Sequence, residues 1–236
     1  MPKALQPPLV LADADLLVKD VESATLFDLN KAGLIALHWT PEIEAEYIEH
    51  RARLRAEKNS MPTASAEDIL WAGARIETNK KFLVPNAMIV GWELESTLET
   101  MEMDAKFAGL KSIPDPDDVH VAMAAAFLAD SSKRPVILAT HNLADLPQKK
   151  LSPFNVSVLH PGDILDALYQ KSPKQVAASL LNTCQGFKNP PFTESDFLRS
   201  VSGSNQFNNP ALAKLIKAAW NNAKSKGKQR DHGLTP

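Results

Sequence analysis

Cysteine is almost absent from this sequence, which has a single one, Cys184, among 236 residues. A disulfide within the chain and a zinc site built from cysteines are therefore excluded. Long apolar runs are also missing: none approaches the roughly 20 residues of a membrane-spanning helix, and residues 1–8 lack the apolar segment of a secretory signal. These absences predict a cytoplasmic protein with no membrane-embedded part.

Charge of one sign is not in excess either. The chain has 26 Lys and Arg residues against 28 Asp and Glu residues, which gives a net charge of -2. An anionic partner would therefore have to bind a local basic patch rather than a globally basic surface. Hydrophobic residues make up 44% of the chain, the usual share for a globular protein with a buried core.

Short apolar runs alternate with helical patterns along most of the chain. The runs that predict strands are residues 9–12, 34–39, 87–91, 136–140 and 156–159, and the helical patterns between them cover 21–32, 42–58, 92–107 and 119–129. This alternation predicts an α/β fold with a mostly parallel sheet covered by helices on both faces.

After Pro161 the pattern changes, because helical segments over 162–183 and 210–223 follow without a further strand. We therefore expect an α/β domain over residues 7–161 and a helical extension over residues 162–223. The polar and basic residues 224–236 are expected to form a disordered tail.

Acidic residues follow the predicted strands, where parallel α/β proteins place their chemistry. Asp13 and Asp15 follow the first strand, and Asp145 follows the strand that ends at Thr140. Further acids begin or lie on helices: Glu42, Glu44, Glu46, Glu49, Asp115, Asp117 and Asp118. Carboxylates gathered in one pocket repel one another, and a divalent cation relieves that repulsion. Oxygen ligands suit Mg²⁺ or Mn²⁺, which promote hydrolysis of phosphodiesters.

Each acid also has a purely structural interpretation. Asp13 can cap the turn after its strand, and Asp118 can cap the helix that follows it. Asp115 and Asp117 flank Pro116 in a turn, where aspartate is common. Most of the glutamates can be solvated charges on a helix face. The combination, rather than any one residue, favours a metal site.

Four segments have patterns more specific than strand or helix periodicity: LVLADADLLV at 9–18, WTPEIEAEYIEH at 39–50, DPDDVHVAMAAA at 115–126 and LATHNLADLP at 138–147. They resemble segments of PIN-domain ribonucleases, in particular the toxins of VapBC-like toxin–antitoxin pairs. The last two are similar to the DPDD-x-H-V and T-x-N-x-x-D-F-P motifs of one PIN subfamily. Because NAMIVGWE at 86–93 and NPPFTESDFL at 189–198 are similar to it as well, the resemblance covers residues 9–200.

The resemblance implies a PIN-type three-layer α/β/α sandwich with a metal site made of four acids, namely Asp13, Glu46, Asp118 and Asp145. Glu46 is preferred to Glu42 because it occupies the matching place after Trp39. Supporting residues around the metal would be Asp15, Asp117, Thr140 and Asn142. Two positions depart from the family pattern, since Asp15 stands in place of the usual Asn and Leu146 in place of the usual Phe.

The activity that the resemblance implies is a Mg²⁺- or Mn²⁺-dependent endoribonuclease, with RNA as substrate. Many members of the family are toxins inhibited by a cognate antitoxin, so the resemblance implies an antitoxin as protein partner. Assembly into a homo-oligomer is left open. We expect basic side chains beside the acids to bind RNA phosphates, and the candidates are Arg51, Arg53, Arg55 and Lys58. His141, at the rim of the pocket, is expected to contact the RNA as well. Taken alone, the same basic residues would be a solvated helix end favoured by the helix dipole.

Two other functions compete with this one. Asp13-Ala14-Asp15 after a strand resembles the nucleophile motif of haloacid-dehalogenase-like phosphatases. That family, however, has its Ser/Thr strand end before its paired aspartates, whereas Asp117 and Asp118 here come before Thr140. The second rival is a PIN-like module that binds RNA or a protein without cutting, and an intact acidic set argues against it because unused acidic clusters cost stability.

Overall fold

The computed structural model describes residues 6–81, 88–188 and 191–231. It divides into two compact units, one within residues 1–160 and one within residues 161–236. The first unit holds the sheet and the second is helical, so each is described by itself.

The first unit contains a parallel sheet with the strand order β2-β1-β3-β4. Its strands are β1 (Leu9–Ala12), β2 (Ala36–His38), β3 (Val136–Ala139) and β4 (Val156–Leu159). Every residue of β1 is buried. Because successive side chains of a strand point to opposite faces of the sheet, both faces must be covered. The predicted α/β sandwich with a parallel sheet is thus confirmed.

Helices connect these strands in the order that the sequence predicted. They are α1 (Ala14–Val18), α2 (Asp20–Lys31), α3 (Pro41–Lys58), α4 (Ala66–Lys80), α5 (Leu94–Met103), α6 (Val119–Ser132) and α7 (Gln148–Leu151), with 3₁₀ turns at Ala105–Ser112, Pro116–Asp118 and Ser152–Phe154. The start of α3 is fixed by Thr40, whose Oγ1 accepts a hydrogen bond from Ile43 N at 3.3 Å, with Pro41 at the first helical position.

Residues 88–91 do not form the strand predicted over 87–91. Met88 forms an isolated parallel bridge with Trp39, and Ala87 lies outside the described residues. Gly91 has a φ of 78°, a left-handed conformation that turns the chain away from the sheet. Val90 is consequently 91% exposed, although its apolar character had indicated a buried strand.

In its described part, residues 161–188 and 191–231, the second unit has four helices: α8 (Pro161–Lys171), α9 (Pro173–Gly186), α10 (Glu194–Ser202) and α11 (Pro210–Asp231). The single helix predicted over 162–183 is broken because Pro173 disfavours a helical conformation at Ser172. Within this unit, Trp220 is buried and its Nε1 donates to Ala177 O at 2.8 Å. No helix in the described ranges has the length and apolar character needed to cross a membrane.

The final helix extends further than expected. We predicted a helix over 210–223 and a disordered tail over 224–236, but α11 continues to Asp231. The lysine, glutamine and arginine residues of this segment have high helix propensity, which lets a helix propagate beyond its apolar part. Residues 232–236 of the predicted tail lie outside the described residues.

A crevice is expected where the strand order reverses, between β1 and β3. The chain leaves β1 for β2 on one side, whereas β3 lies on the other side of β1. Parallel α/β sheets bind ligands beyond the carboxyl ends of their strands at such a point. Ala12 pairs with Ala139 at the ends of the two strands, so that Asp13 and Thr140 follow side by side.

Candidate metal site

A cavity of about 360 Å³ lies at the carboxyl ends of β1 and β3. Its lining comes from the start of α1, one face of α3, the turn before α6 and the loop after β3: Asp13, Ala14, Asp15, Glu46, Glu49, His50, Arg53, Asp117, Asp118 and Asn142. Three of the four predicted metal ligands, Asp13, Glu46 and Asp118, therefore share one cavity although they are far apart in sequence.

Asp13 is held by two hydrogen bonds and is only 7% exposed. Its Oδ1 accepts from Ala14 N and its Oδ2 accepts from Thr140 Oγ1, both at 2.7 Å. Asp13 thus caps α1, as its structural interpretation required, and lines the cavity as well. Burial raises the pKa of Asp13, and the Thr140 hydroxyl opposes that shift by donating to the carboxylate.

Thr140 and Asn142 connect the acids to one another. Thr140 Oγ1 accepts from Asn142 N at 2.9 Å, and Asn142 Nδ2 donates to Asp118 Oδ2 at 2.9 Å. Asn142 Oδ1 also accepts from Asp145 N at 3.4 Å. The loop after β3 therefore orients the carboxylates of Asp13 and Asp118. The resemblance implied that Thr140 and Asn142 would support Asp145, whose contact with this pair is through its backbone N.

Asp145 belongs to a second group of acids rather than to the cavity lining. One carboxylate oxygen from each of Asp115, Asp118 and Asp145 lies within 4.8 Å of the others. Asp118 is thus common to this group and to the group formed with Asp13 and Glu46. The sequence assigned no metal role to Asp115, because its place beside Pro116 is equally typical of a turn.

The supporting acids Asp15 and Asp117 also line the cavity. Asp15 is 46% exposed, and its Oδ1 lies 3.7 Å from His50 Nδ1. Asp117 is placed by the turn before α6, in which Asp115 Oδ1 accepts from Asp117 N at 3.0 Å. Their positions at the opening add negative charge to the cavity.

Helix α3 contributes Glu46, His50 and Arg53 to the cavity through one face. Their spacing of i, i+4 and i+7 aligns them along the helix. His50 was missed by the sequence analysis, although its distance of one helical turn from Glu46 was an available signal. Glu49, next to His50, lines the cavity as well.

The neighbouring glutamates of α3 have different partners. Glu42 Oε2 accepts from Trp92 Nε1 at 2.9 Å, and Glu44 Oε2 accepts from Trp39 Nε1 at 3.0 Å. These hydrogen bonds hold Glu42 and Glu44 against two indole rings. Among the glutamates of the first two turns of α3, it is Glu46 that lines the cavity. The structure therefore places Glu46 where the sequence placed it, and Glu42 elsewhere.

Burial and the charges of neighbouring acids raise the pKa values of Glu46 and Asp118. The pKa of Glu46 is raised to about 7, first by burial and then by the charges of Asp13 and Asp117. The pKa of Asp118 is raised to about 6 by burial and by the charges of Asp13 and Asp115. The predicted ligands Asp13, Glu46 and Asp118 offer carboxylate oxygens, which fit Mg²⁺ or Mn²⁺.

In metal-free buffer, we expect the melting temperature to rise as the pH falls from about 8 to about 5.5. Glu46 and Asp118 have raised folded-state pKa values of about 7 and about 6, so the folded state binds protons more tightly than the unfolded state. The stabilisation is present at low pH and is lost as the pH rises through these values. Saturating Mn²⁺ should remove the trend by neutralising the carboxylates.

Thermal melts in EDTA and in Mn²⁺ across this pH range measure the effect. Glu46→Gln is the matched control, because it removes one titrating group and should flatten the metal-free profile. A melting temperature that stays level or falls on acidification of the metal-free wild type would contradict the raised pKa values of Glu46 and Asp118.

Arg51 and Arg55 do not have the RNA-binding position predicted from the sequence. Arg51 donates to Val18 O and to Asp20, and its guanidinium lies 5.7 Å from the centre of the Trp71 ring. Arg55 pairs with Glu67 at 3.0 Å. These contacts tie α3 to its neighbouring helices and occupy the donors that phosphates would need.

Arg53 is the arginine of α3 that lines the cavity. Its side chain is 56% exposed, and its nearest acidic partner is Glu57 at 3.9 Å. Lys58 is exposed at the end of α3 but does not line the cavity. Because an α-helix has 3.6 residues per turn, Arg51 and Arg55 share one face of α3 and Arg53 lies on another.

His141 is also placed differently from the prediction of a rim residue that touches substrate. Its side chain is only 17% exposed. The Nε2 atom lies 3.0 Å from Glu22 Oε2, and the Nδ1 atom lies 3.0 Å from His160 Nε2. These partners are 119 and 19 residues away along the chain, so no local pattern indicated them.

Comparisons with known proteins add no family to this description. No protein-family model matches the chain, and no curated protein or solved structure is significantly similar to it. The interpretation of the cavity therefore rests on its geometry and on the residues of its four motifs.

Proposed function

We propose that the protein is a Mg²⁺- or Mn²⁺-dependent endoribonuclease of the PIN type that acts in the cytoplasm. The observation that carries this proposal is the meeting of Asp13, Glu46 and Asp118 in one cavity, with Asp115 and Asp145 beside Asp118. Such an arrangement raises carboxylate pKa values and costs stability unless a cation compensates the charge. Its place at the reversal of strand order also favours a ligand site.

Asp13, Glu46 and Asp118 would hold the cation, with Asp145 as a further ligand next to Asp118. Bound there, a divalent cation supplies an activated water and stabilises the charge that develops on a phosphodiester. Thr140 and Asn142 orient the carboxylates through the hydrogen bonds described above, as outer partners of metal ligands do.

The substrate we propose is single-stranded RNA, in keeping with the resemblance of the motifs to PIN ribonucleases. A strongly acidic cavity repels phosphates in the absence of metal, so a cationic residue at its edge must help to bind the backbone. Arg53 meets this requirement, because it lines the cavity and more than half of its side chain is exposed.

RNA cleavage by the purified protein tests the proposal. We expect a fluorescent single-stranded RNA to be cut in Mg²⁺ or Mn²⁺ and left intact in EDTA, with 5′-phosphate and 3′-hydroxyl ends as the motif resemblance implies. Hydrolysis of p-nitrophenyl phosphate with a trapped aspartyl-phosphate would favour a phosphatase instead. Tight RNA binding without cleavage in any divalent metal would favour a binding module.

We further propose that the chain is the toxin of a toxin–antitoxin pair, with a cognate antitoxin as its protein partner. This part of the proposal rests on the resemblance of residues 115–126 and 138–147 to one PIN subfamily. A short reading frame with a DNA-binding N-terminus next to the gene would support it. An isolated gene would favour a role in RNA processing.

Arg53→Ala is expected to weaken RNA binding, whereas Arg51→Ala is expected to lower stability. Loss of Arg53 should raise KM for RNA several-fold, with the defect reduced at low salt, and should leave the melting temperature unchanged. Loss of Arg51 should lower the free energy of unfolding by about 1–2 kcal/mol, because its contacts to Val18 and Asp20 join α3 to α1 and α2.

Salt-dependent cleavage kinetics and thermal melts of both variants provide the comparison. If Arg51→Ala raised KM without loss of stability while Arg53→Ala changed neither quantity, the assignment of Arg53 to the phosphate backbone would be wrong.

A further inference from the structure

A fully buried carboxylate lies outside the cavity. The Glu22 side chain on α2 is 0% exposed, and its two oxygens lie 3.1 and 3.0 Å from His141 Nε2. The Lys19 ammonium lies 4.0 Å from Glu22 Oε2. Because a buried carboxylate without partners strongly destabilises a fold, the contact with His141 must compensate for the burial of Glu22.

His141 extends this contact to a third residue. Its Nδ1 lies 3.0 Å from His160 Nε2, and the two rings meet edge to face with centroids 4.7 Å apart. A carboxylate can only accept hydrogen bonds, so His141 Nε2 donates to Glu22. On the other side of the ring, His141 Nδ1 and His160 Nε2 share a hydrogen bond in which one nitrogen donates and the other accepts. Both nitrogens of His141 are thereby engaged, which fixes the orientation of its ring.

The restrained residue lies between the two residues that orient the cavity acids. Thr140 precedes His141 and donates to Asp13, whereas Asn142 follows it and donates to Asp118. Glu22 lies on α2, and His160 directly follows β4. The loop is therefore fastened to the scaffold through its central side chain, while its flanking side chains face the acids.

The same three residues do not form a metal site of their own. Glu22 and His160 contact opposite nitrogens of His141, so the ring separates them. The acids grouped as a possible cation site among the described residues are Asp115, Asp118 and Asp145. A restraining function is thus the interpretation that the geometry favours.

We propose that Glu22, His141 and His160 form a positioning network for the loop 140–142. By fixing the His141 ring, the network holds Thr140 and Asn142 where they bond to Asp13 and Asp118. The consequence for metal binding rests on the proposed function, whereas the restraint on the loop does not. None of the three residues touches substrate or cation in this role.

Three variants test the network in the full chain. Glu22→Leu removes the acceptor of His141, and Glu22→Gln restores a neutral acceptor of the same shape. Thr25→Val is the matched control: Thr25 is equally buried on α2 but donates to Val21 O within its own helix. Amide hydrogen exchange of the metal-free protein reports on the loop, because Asn142 N donates to Thr140 Oγ1. Titration with Mn²⁺ alone reports on the acids.

In Glu22→Leu, we expect the Asn142 amide hydrogen to exchange about tenfold faster than in the wild type. We also expect Mn²⁺ to bind about tenfold more weakly, which is the scale observed when an outer partner of a metal ligand is lost. Glu22→Gln should recover part of both losses. Thr25→Val should match the wild type in both measurements even if its melting temperature falls. If Glu22→Leu does not fold, His160→Phe replaces it, because this variant removes the contact between His160 and His141 and leaves Glu22 paired with His141. His160→Phe should give the same faster amide exchange and weaker Mn²⁺ binding.

Equal loop exchange and equal Mn²⁺ affinity in Thr25→Val and in folded Glu22→Leu, or in His160→Phe if Glu22→Leu does not fold, would overturn the network. A wild type that binds no Mn²⁺ would instead refute the proposed function. In that case faster exchange in Glu22→Leu, and not in Thr25→Val, would still support the restraint on the loop.

Discussion

Asp118→Asn is expected to lower the rate of RNA cleavage by about three orders of magnitude or more, without loss of the fold. Asp118 is common to both groups of acids, so its carboxylate is placed to contact a cation held by either group. Asparagine keeps the shape and can still accept from Asn142. Because the pKa of Asp118 is raised by burial and by the surrounding acids, removing its charge should leave metal-free stability unchanged or higher.

Asp130→Asn is the matched control for this substitution. Asp130 lies on the opposite end of α6, is 47% exposed and pairs with Lys133 at 3.2 Å. It should cleave RNA like the wild type. Cleavage kinetics in Mn²⁺ and thermal melts in EDTA decide the outcome. If Asp118→Asn loses activity only because it melts well below the wild type, the carboxylate holds the fold and its assignment to metal binding fails.

Expression of the chain in bacteria without a partner is expected to arrest growth. A ribonuclease released from its inhibitor cuts cellular RNA continuously, so growth should stop within a few generations. Asp118→Asn, produced at the same soluble level, should permit normal growth, and Asp130→Asn should be as toxic as the wild type. Growth curves combined with quantification of soluble protein provide the measurement.

Normal growth on expression of an active wild type would separate the two parts of the proposal. If the protein cuts RNA in vitro but is harmless in cells, the toxin assignment is wrong. The ribonuclease assignment would then stand, and a role in RNA processing would replace that of a toxin.

The local parts of the fold were predictable from the sequence because local patterns determine them. The continuous apolar run of β1 indicated a strand buried on both faces, and Thr40-Pro41 marked the start of α3. Alternation of strands and helices gave the parallel sheet. Where the prediction was wrong, at residues 88–91, an apolar segment had been interpreted without knowing that Gly91 turns the chain.

The candidate site was predictable only in part. The position of Glu46 followed from the motif, and the i+4 and i+7 spacing on α3 extends it to His50 and Arg53. The roles of Arg51 and Arg55 were not predictable, because their partners come from other helices that meet α3 only after folding.

The Glu22–His141–His160 network shows the same limit more clearly. No helical or strand period relates residues that are 119 positions apart, as Glu22 and His141 are. In sequence, a glutamate on an amphipathic helix is typical of a solvated charge. Its complete burial, and therefore its need for a partner, is a property of the three-dimensional packing alone.

Diffraction from crystals soaked in MnCl₂ tests the central claim most directly, since manganese is located by its anomalous scattering. We expect a peak in the cavity, about 2.0–2.3 Å from carboxylate oxygens of Asp13 and Asp118, with Glu46 or Asp145 completing the ligands. The peak should be absent in Asp118→Asn crystals. A wild-type cavity without manganese at saturating concentration, in which Asp13 keeps only its bonds to Ala14 and Thr140, would contradict the metal site and the ribonuclease mechanism built on it.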